Sequence, residues 1–85
     1  MSAKIFTLSK SANKQIVKLP LSIQNKINQA FITIKNNPLA GAKLNGVLAG
    51  QYKFRIGDYR IVYTFNSKEN KVCVVKIEHR QGVYK

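Results

Sequence analysis

The pair Gly57-Asp58 stands between two runs dense in Tyr, Phe, Ile and Val, Gln51–Ile56 and Tyr59–Asn66. A two-residue connection of this kind joins antiparallel strands through a type II′ turn, because glycine reaches the positive φ required at its first position. The turn then sets the register. Ile56 opposes Tyr59, Arg55 opposes Arg60, Phe54 opposes Ile61, Lys53 opposes Val62 and Tyr52 opposes Tyr63. Side chains alternate across a sheet. Tyr52, Phe54, Ile56, Tyr59, Ile61 and Tyr63 therefore share one face, which has to be covered, while Lys53, Arg55 and Arg60 share the other.

The cover comes from the first half of the chain. A short strand is expected over Lys4–Leu8, then a helix over about Ala12–Leu19 with Ser9 or Ser11 as N-cap. Pro20 interrupts this helix and is compatible with the first turn of the next one. In that second helix Ile23, Ile27, Ala30, Phe31 and Ile34 form one apolar stripe, and Asn36-Asn37-Pro38 ends it. Leu39–Gly50, with glycines at 41, 46 and 50, reads as a long ordered loop inside the domain. Lys71–His79 is a further strand, and Arg80–Lys85 a tail. The order β-α-α-β-β-β predicts one α+β domain over residues 1–85, with two helices packed on one face of a small antiparallel-type sheet. Placing Cys73, Val75 and Ile77 on the covered face sends Val74, Lys76 and Glu78 to the face of Arg60.

Charge points to the partner. Fifteen Lys and Arg stand against Asp58, Glu69 and Glu78, a formal net charge of +12. Such a field attracts phosphate backbones or anionic lipid. Arg55 and Arg60 directly opposite one another repel, and a phosphate would relieve that repulsion, because the guanidinium fork binds its oxygens bidentately. The expected partner is thus a polyanion, RNA above all. No apolar run approaches the roughly 18–20 residues of a membrane span, and no signal peptide is evident. Cys73 is alone, so no disulfide is expected; a reducing cytoplasm suits it, as a buried small hydrophobe.

One histidine and three scattered acids supply neither a metal cluster nor a carboxylate pair. No Ser-His-Asp arrangement and no glycine-rich phosphate loop opening a helix is present, so no cofactor is expected. A nuclease with these means must use the substrate's own nucleophile, which RNA carries as its 2′-OH. Its products would be a 2′,3′-cyclic phosphate and a free 5′-OH.

The string from Gly50 through Tyr63, followed by Ile77-Glu78-His79-Arg80-Gln81-Gly82-Val83-Tyr84, resembles the RelE/ParE superfamily of bacterial and archaeal toxins. Asn36-Asn37-Pro38-Leu39-Ala40-Gly41 and Leu44-Asn45-Gly46 are similar to its segment between second helix and sheet, so the resemblance spans essentially the whole chain. For the RelE branch it implies a toxin of a type II toxin–antitoxin system that enters the ribosomal A site and cuts mRNA there, and an antitoxin that wraps and neutralises it. It also implies the site. Lys53, Arg55 and Arg60 match the sheet cations, Arg80 the cation after the last strand and Tyr84 the terminal tyrosine; His79 and Lys76 are secondary candidates. The spacing to Val83-Tyr84 is shorter than in the best-known members.

In that scheme Arg55 and Arg60 hold the phosphate, and Arg60 and Arg80 stabilise charge developing on it. Arginine stays protonated at neutral pH. Proton transfer therefore falls to Lys53, Tyr84 or His79, with Lys53 or Tyr84 as general base. Two alternatives stay open: a non-enzymatic ParE-type toxin acting on DNA gyrase, a branch that usually lacks the full set of sheet cations and terminal tyrosine, or an inactive RNA-binding module.

Overall fold

The computed structural model describes residues 2–44 and 50–79. Its order is β1 (Ile5–Leu8), α1 (Lys10–Val17), α2 (Leu21–Asn36), β2 (Ala42–Lys43), β3 (Gln51–Ile56), β4 (Tyr59–Asn66) and β5 (Lys71–His79). The strands form one sheet in the order β1-β5-β4-β3-β2. Both helices lie on one face, as the sequence predicts. Two features refine that expectation. β1 pairs with β5 in parallel, so the sheet is mixed, and a two-residue strand, β2, adds to the far edge beside β3. No described helix is long and apolar enough to cross a membrane.

Ser9 is the N-cap of α1, its hydroxyl accepting from the Ala12 amide at 3.0 Å, which starts the helix two residues before the expected Ala12. Pro20 precedes the first turn of α2 as its N-cap. Ile27, Ala30 and Ile34 of the α2 stripe are buried, with Ile23 and Phe31 packed against the core. Across from them lie Ile61, Tyr63, Val72, Val74 and Ile77.

The hairpin register agrees with the sequence reading at every pair from Tyr52↔Tyr63 to Ile56↔Tyr59. Gly57 has φ +56°, whereas Asp58 is not among the described residues with positive φ, the signature of a type II′ turn. Tyr52 and Tyr63 stack with ring centroids 5.4 Å apart. The Tyr63 hydroxyl donates to the Pro38 carbonyl (2.7 Å) and accepts from the Gly41 amide (3.0 Å), clamping the loop after α2 to β4. Gly41 is obligatory here: an added Cβ would stand 2.7 Å from the Tyr63 hydroxyl and 2.8 Å from the Lys53 carbonyl.

β5 corrects one expectation. Val62 pairs with Lys76 but Tyr63 pairs with Val74, so Val75 is the extra residue of a β-bulge. The bulge reverses parity. Val72 and Val74, not Cys73 and Val75, join Ile77 in the core, and Cys73 lies half-buried on the opposite face beside Thr64 and Thr7. Past the end of β1 the free edge of β5 is closed by side chains. Ser9 Oγ donates to the Val75 carbonyl, while the Gln15 amide donates to the Ile77 carbonyl at 2.7 Å and accepts from its N–H at 2.9 Å.

A cationic sheet face as candidate functional site

The sheet face away from the helices is built from two rows of the ladder. Arg55, Arg60 and Glu78 stand side by side on β3, β4 and β5, and the next row is Lys53, Val62 and Lys76. Alternation puts these side chains on one surface because the opposite positions, Phe54, Ile61, Tyr59 and Ile77, serve the core. Arg55 is exposed, Lys53 half-buried, and Val62 buried at the centre. The structure thus brings Lys53, Arg55, Arg60 and Lys76 together.

Glu78 changes the electrostatics expected from sequence. Its Oε1 lies 3.5 Å from Arg60 Nη2 and its Oε2 lies 3.1 Å from Lys76 Nζ. The repulsion between Arg55 and Arg60 is therefore relieved in part by a carboxylate of the chain itself. Four cations against this one acid leave the two rows strongly positive. The other acids stand in turns: Asp58 in the hairpin, and Glu69 bonded to Asn66 at 3.1 Å. The sequence places Glu78 on this face but assigns it no role; the parity that places Lys76 is the signal that also sets Glu78 opposite Arg60.

His79 is not brought to this surface. It pairs with Tyr59 across the ladder and its ring lies 4.6 Å from that of Tyr59, on the helix side. There it borders an open cavity of about 260 Å³ with Gln15, Lys18, Leu19 and Ile77. The sheet separates it from Lys53 and Arg60. Arg80 and Tyr84 lie outside the described residues. Among the described residues no group of three or more His, Cys, Asp or Glu could hold a metal ion. Burial, the dominant cause, pushes the Tyr63 pKa above its ordinary value.

What such a face can do is bind phosphate oxygens through several charge-assisted hydrogen bonds at once. Residues 6–84 match the family model described as the ParE toxin of the type II toxin–antitoxin system parDE. The chain is 30% identical over 77 residues to toxin RelG of Mycobacterium tuberculosis, covering 88% of each. In structure it resembles a chain of the RelBE2 toxin–antitoxin complex of the same organism, with TM-score 0.83, 28% identity and 94% of both chains covered. It shares its fold with a chain of the archaeal RelE–RelB complex from Pyrococcus horikoshii, at TM-score 0.77 and 22% identity, over 94% of this chain and 97% of that one. Matched from β1 to the C-terminal tyrosine, the chain belongs to the ParE toxin family of type II toxin–antitoxin systems, within the RelE/ParE superfamily.

Proposed function

We propose that this toxin is a ribosome-dependent endoribonuclease that cuts mRNA in the A site without a metal, by attack of the 2′-OH on the adjacent phosphate. The observation that carries this reading is the clustering of Lys53, Arg55, Arg60 and Lys76 on one open sheet face. Arg55 and Arg60 bind the scissile phosphate, and Arg60, with Arg80, stabilises the charge that grows on it. Lys53 or Tyr84 takes the 2′-OH proton. That proton leaves as the bond from 2′-oxygen to phosphorus forms and the bond to the 5′-oxygen breaks; the departing 5′-oxygen takes up a proton from water, giving a cyclic phosphate and a 5′-hydroxyl. Similarity to chains of RelBE-type complexes further supports an antitoxin partner; an acidic chain laid on this face would neutralise it.

The test is to add the protein to translating ribosomes and map mRNA 5′ ends. Codon-phased cuts that vanish with a 2′-deoxy sugar at the cut position, and that fall by about two or more orders of magnitude in Arg60→Ala, are the expected result. Intact mRNA together with accumulating gyrase–DNA breaks would overturn it in favour of a ParE-type action.

A further inference from the structure

Three acids serve fifteen basic residues in this chain, and one of the three stands inside the cationic face. Glu78 presents one carboxylate oxygen to Arg60 and the other to Lys76, at 3.5 and 3.1 Å. Two oxygens of one anion divided between two cations is the arrangement a bound phosphate would adopt there. Arg60 and Glu78 are only partly exposed, at 25% and 28%, while Lys76 is exposed. Solvent therefore screens the Arg60–Glu78 contact less than it would a freely exposed pair.

We propose that Glu78 is a specificity-determining residue that occupies the place of a phosphate between Arg60 and Lys76 and must be displaced before RNA can use those two cations. The inference rests on reading this face as an RNA-binding surface. Any single phosphate has to compete with a tethered carboxylate. Free single-stranded RNA, held by few other contacts, is selected against. RNA that a larger assembly already presents to the face can displace Glu78 at little cost, because its other contacts are made elsewhere. Glu78 acts on binding and holds Arg60 on the β5 side, away from Arg55; it takes no proton and touches no reacting atom.

Binding of a short, fluorescein-labelled, fully 2′-O-methylated RNA, which cannot be cut, tests this by anisotropy across a salt series. Glu78→Gln is expected to bind about five- to tenfold tighter than wild type at roughly 0.1 M salt, with a log–log salt slope steeper by about 0.7, the increment for one more phosphate contact on a single strand. Glu69→Gln removes the same charge from the turn before β5 and is expected to bind as wild type does. Asp at position 78 keeps the charge but is too short to span both cations, and Glu78→Asp is expected to gain part of the affinity. In Arg60→Ala the further change Glu78→Gln still frees Lys76 and is expected to bring a smaller gain than it does in the wild type.

Equal or weaker binding by both Glu78 variants overturns the inference. So does an equal gain from Glu69→Gln, which would reduce the effect to net charge. Should Glu78→Gln not fold, Glu78→Asp decides alone. The assay needs no cleavage. Codon-phased cuts without a gain in Glu78→Gln would leave the ribonuclease standing and the gate refuted, whereas a gain with intact mRNA would do the reverse.

Discussion

Replacing Tyr63 by Phe removes one oxygen from a side chain that is fully buried and makes two hydrogen bonds with it. The Pro38 carbonyl loses its donor at 2.7 Å and the Gly41 amide its acceptor at 3.0 Å. A typical hydrogen bond is worth about 0.5–1.5 kcal/mol net, and a buried group left unpaired costs about 1–3 kcal/mol. Pro38 is fully buried, so its carbonyl bears that cost, while Gly41 is half-buried and can turn to water. Tyr63→Phe is therefore expected to lower stability by about 2 kcal/mol, with a fall in Tm of roughly 8–16 °C for a domain of this size. Urea unfolding followed by far-ultraviolet circular dichroism would read this as a lower midpoint at unchanged slope. A loss below about 0.5 kcal/mol, within the range of unspecific surface changes, would refute the argument, since it would mean that the two backbone groups find other partners freely.

Three further outcomes are expected. Because burial raises the Tyr63 pKa above 10.0, the folded state holds its proton more tightly than the unfolded chain, and stability falls as pH climbs through and beyond that value; Tyr63→Phe should flatten this fall in alkaline unfolding curves, and an unchanged slope would contradict it. Arg55→Ala removes one of two opposed arginines and should stabilise the fold by some tenths of a kcal/mol while weakening RNA binding, so a less stable or tighter-binding variant would be the contrary result. Gln15→Ala strips both side-chain bonds from the Ile77 peptide and should cost about 1–2 kcal/mol, with faster hydrogen exchange at the Ile77 amide as the direct readout.

The hairpin was legible because glycine at 57 admits few turns and every aromatic and isoleucine side chain from Tyr52 to Tyr63 falls on one parity. The α2 stripe was legible for the same kind of reason, as one period with one consistent face. β5 was not. Val72-Cys73-Val74-Val75 is apolar at every position, so either parity yields a plausible buried face, and nothing local announces the bulge that selects Val72 and Val74. Lys76 and Glu78 came out on the expected side because their place follows from Ile77, which lies beyond the bulge. β2 and the parallel pairing of β1 come from distant partners rather than from local preference. Of the candidate site, the cations of β3 and β4 were readable from the turn alone. The bond between Glu78 and Arg60 needed the third strand.

The extra residue at Val75 also separates two kinds of genetic change. Substitutions along β5 alter either the packing of the molecule or the chemistry of its open face, since each side chain belongs to one of them. Deleting Val75 would instead straighten the strand: Val74, Lys76, Ile77 and Glu78 would alternate without interruption, each keeping the partner and the face it has now. A single lost codon would thus remove the bulge and its local twist, together with the carbonyl that accepts from Ser9 Oγ, while leaving the ionic surface and the core in register. Length is negotiable at this one point of β5, and a collection of variants should accept the deletion of Val75 as well as its replacement.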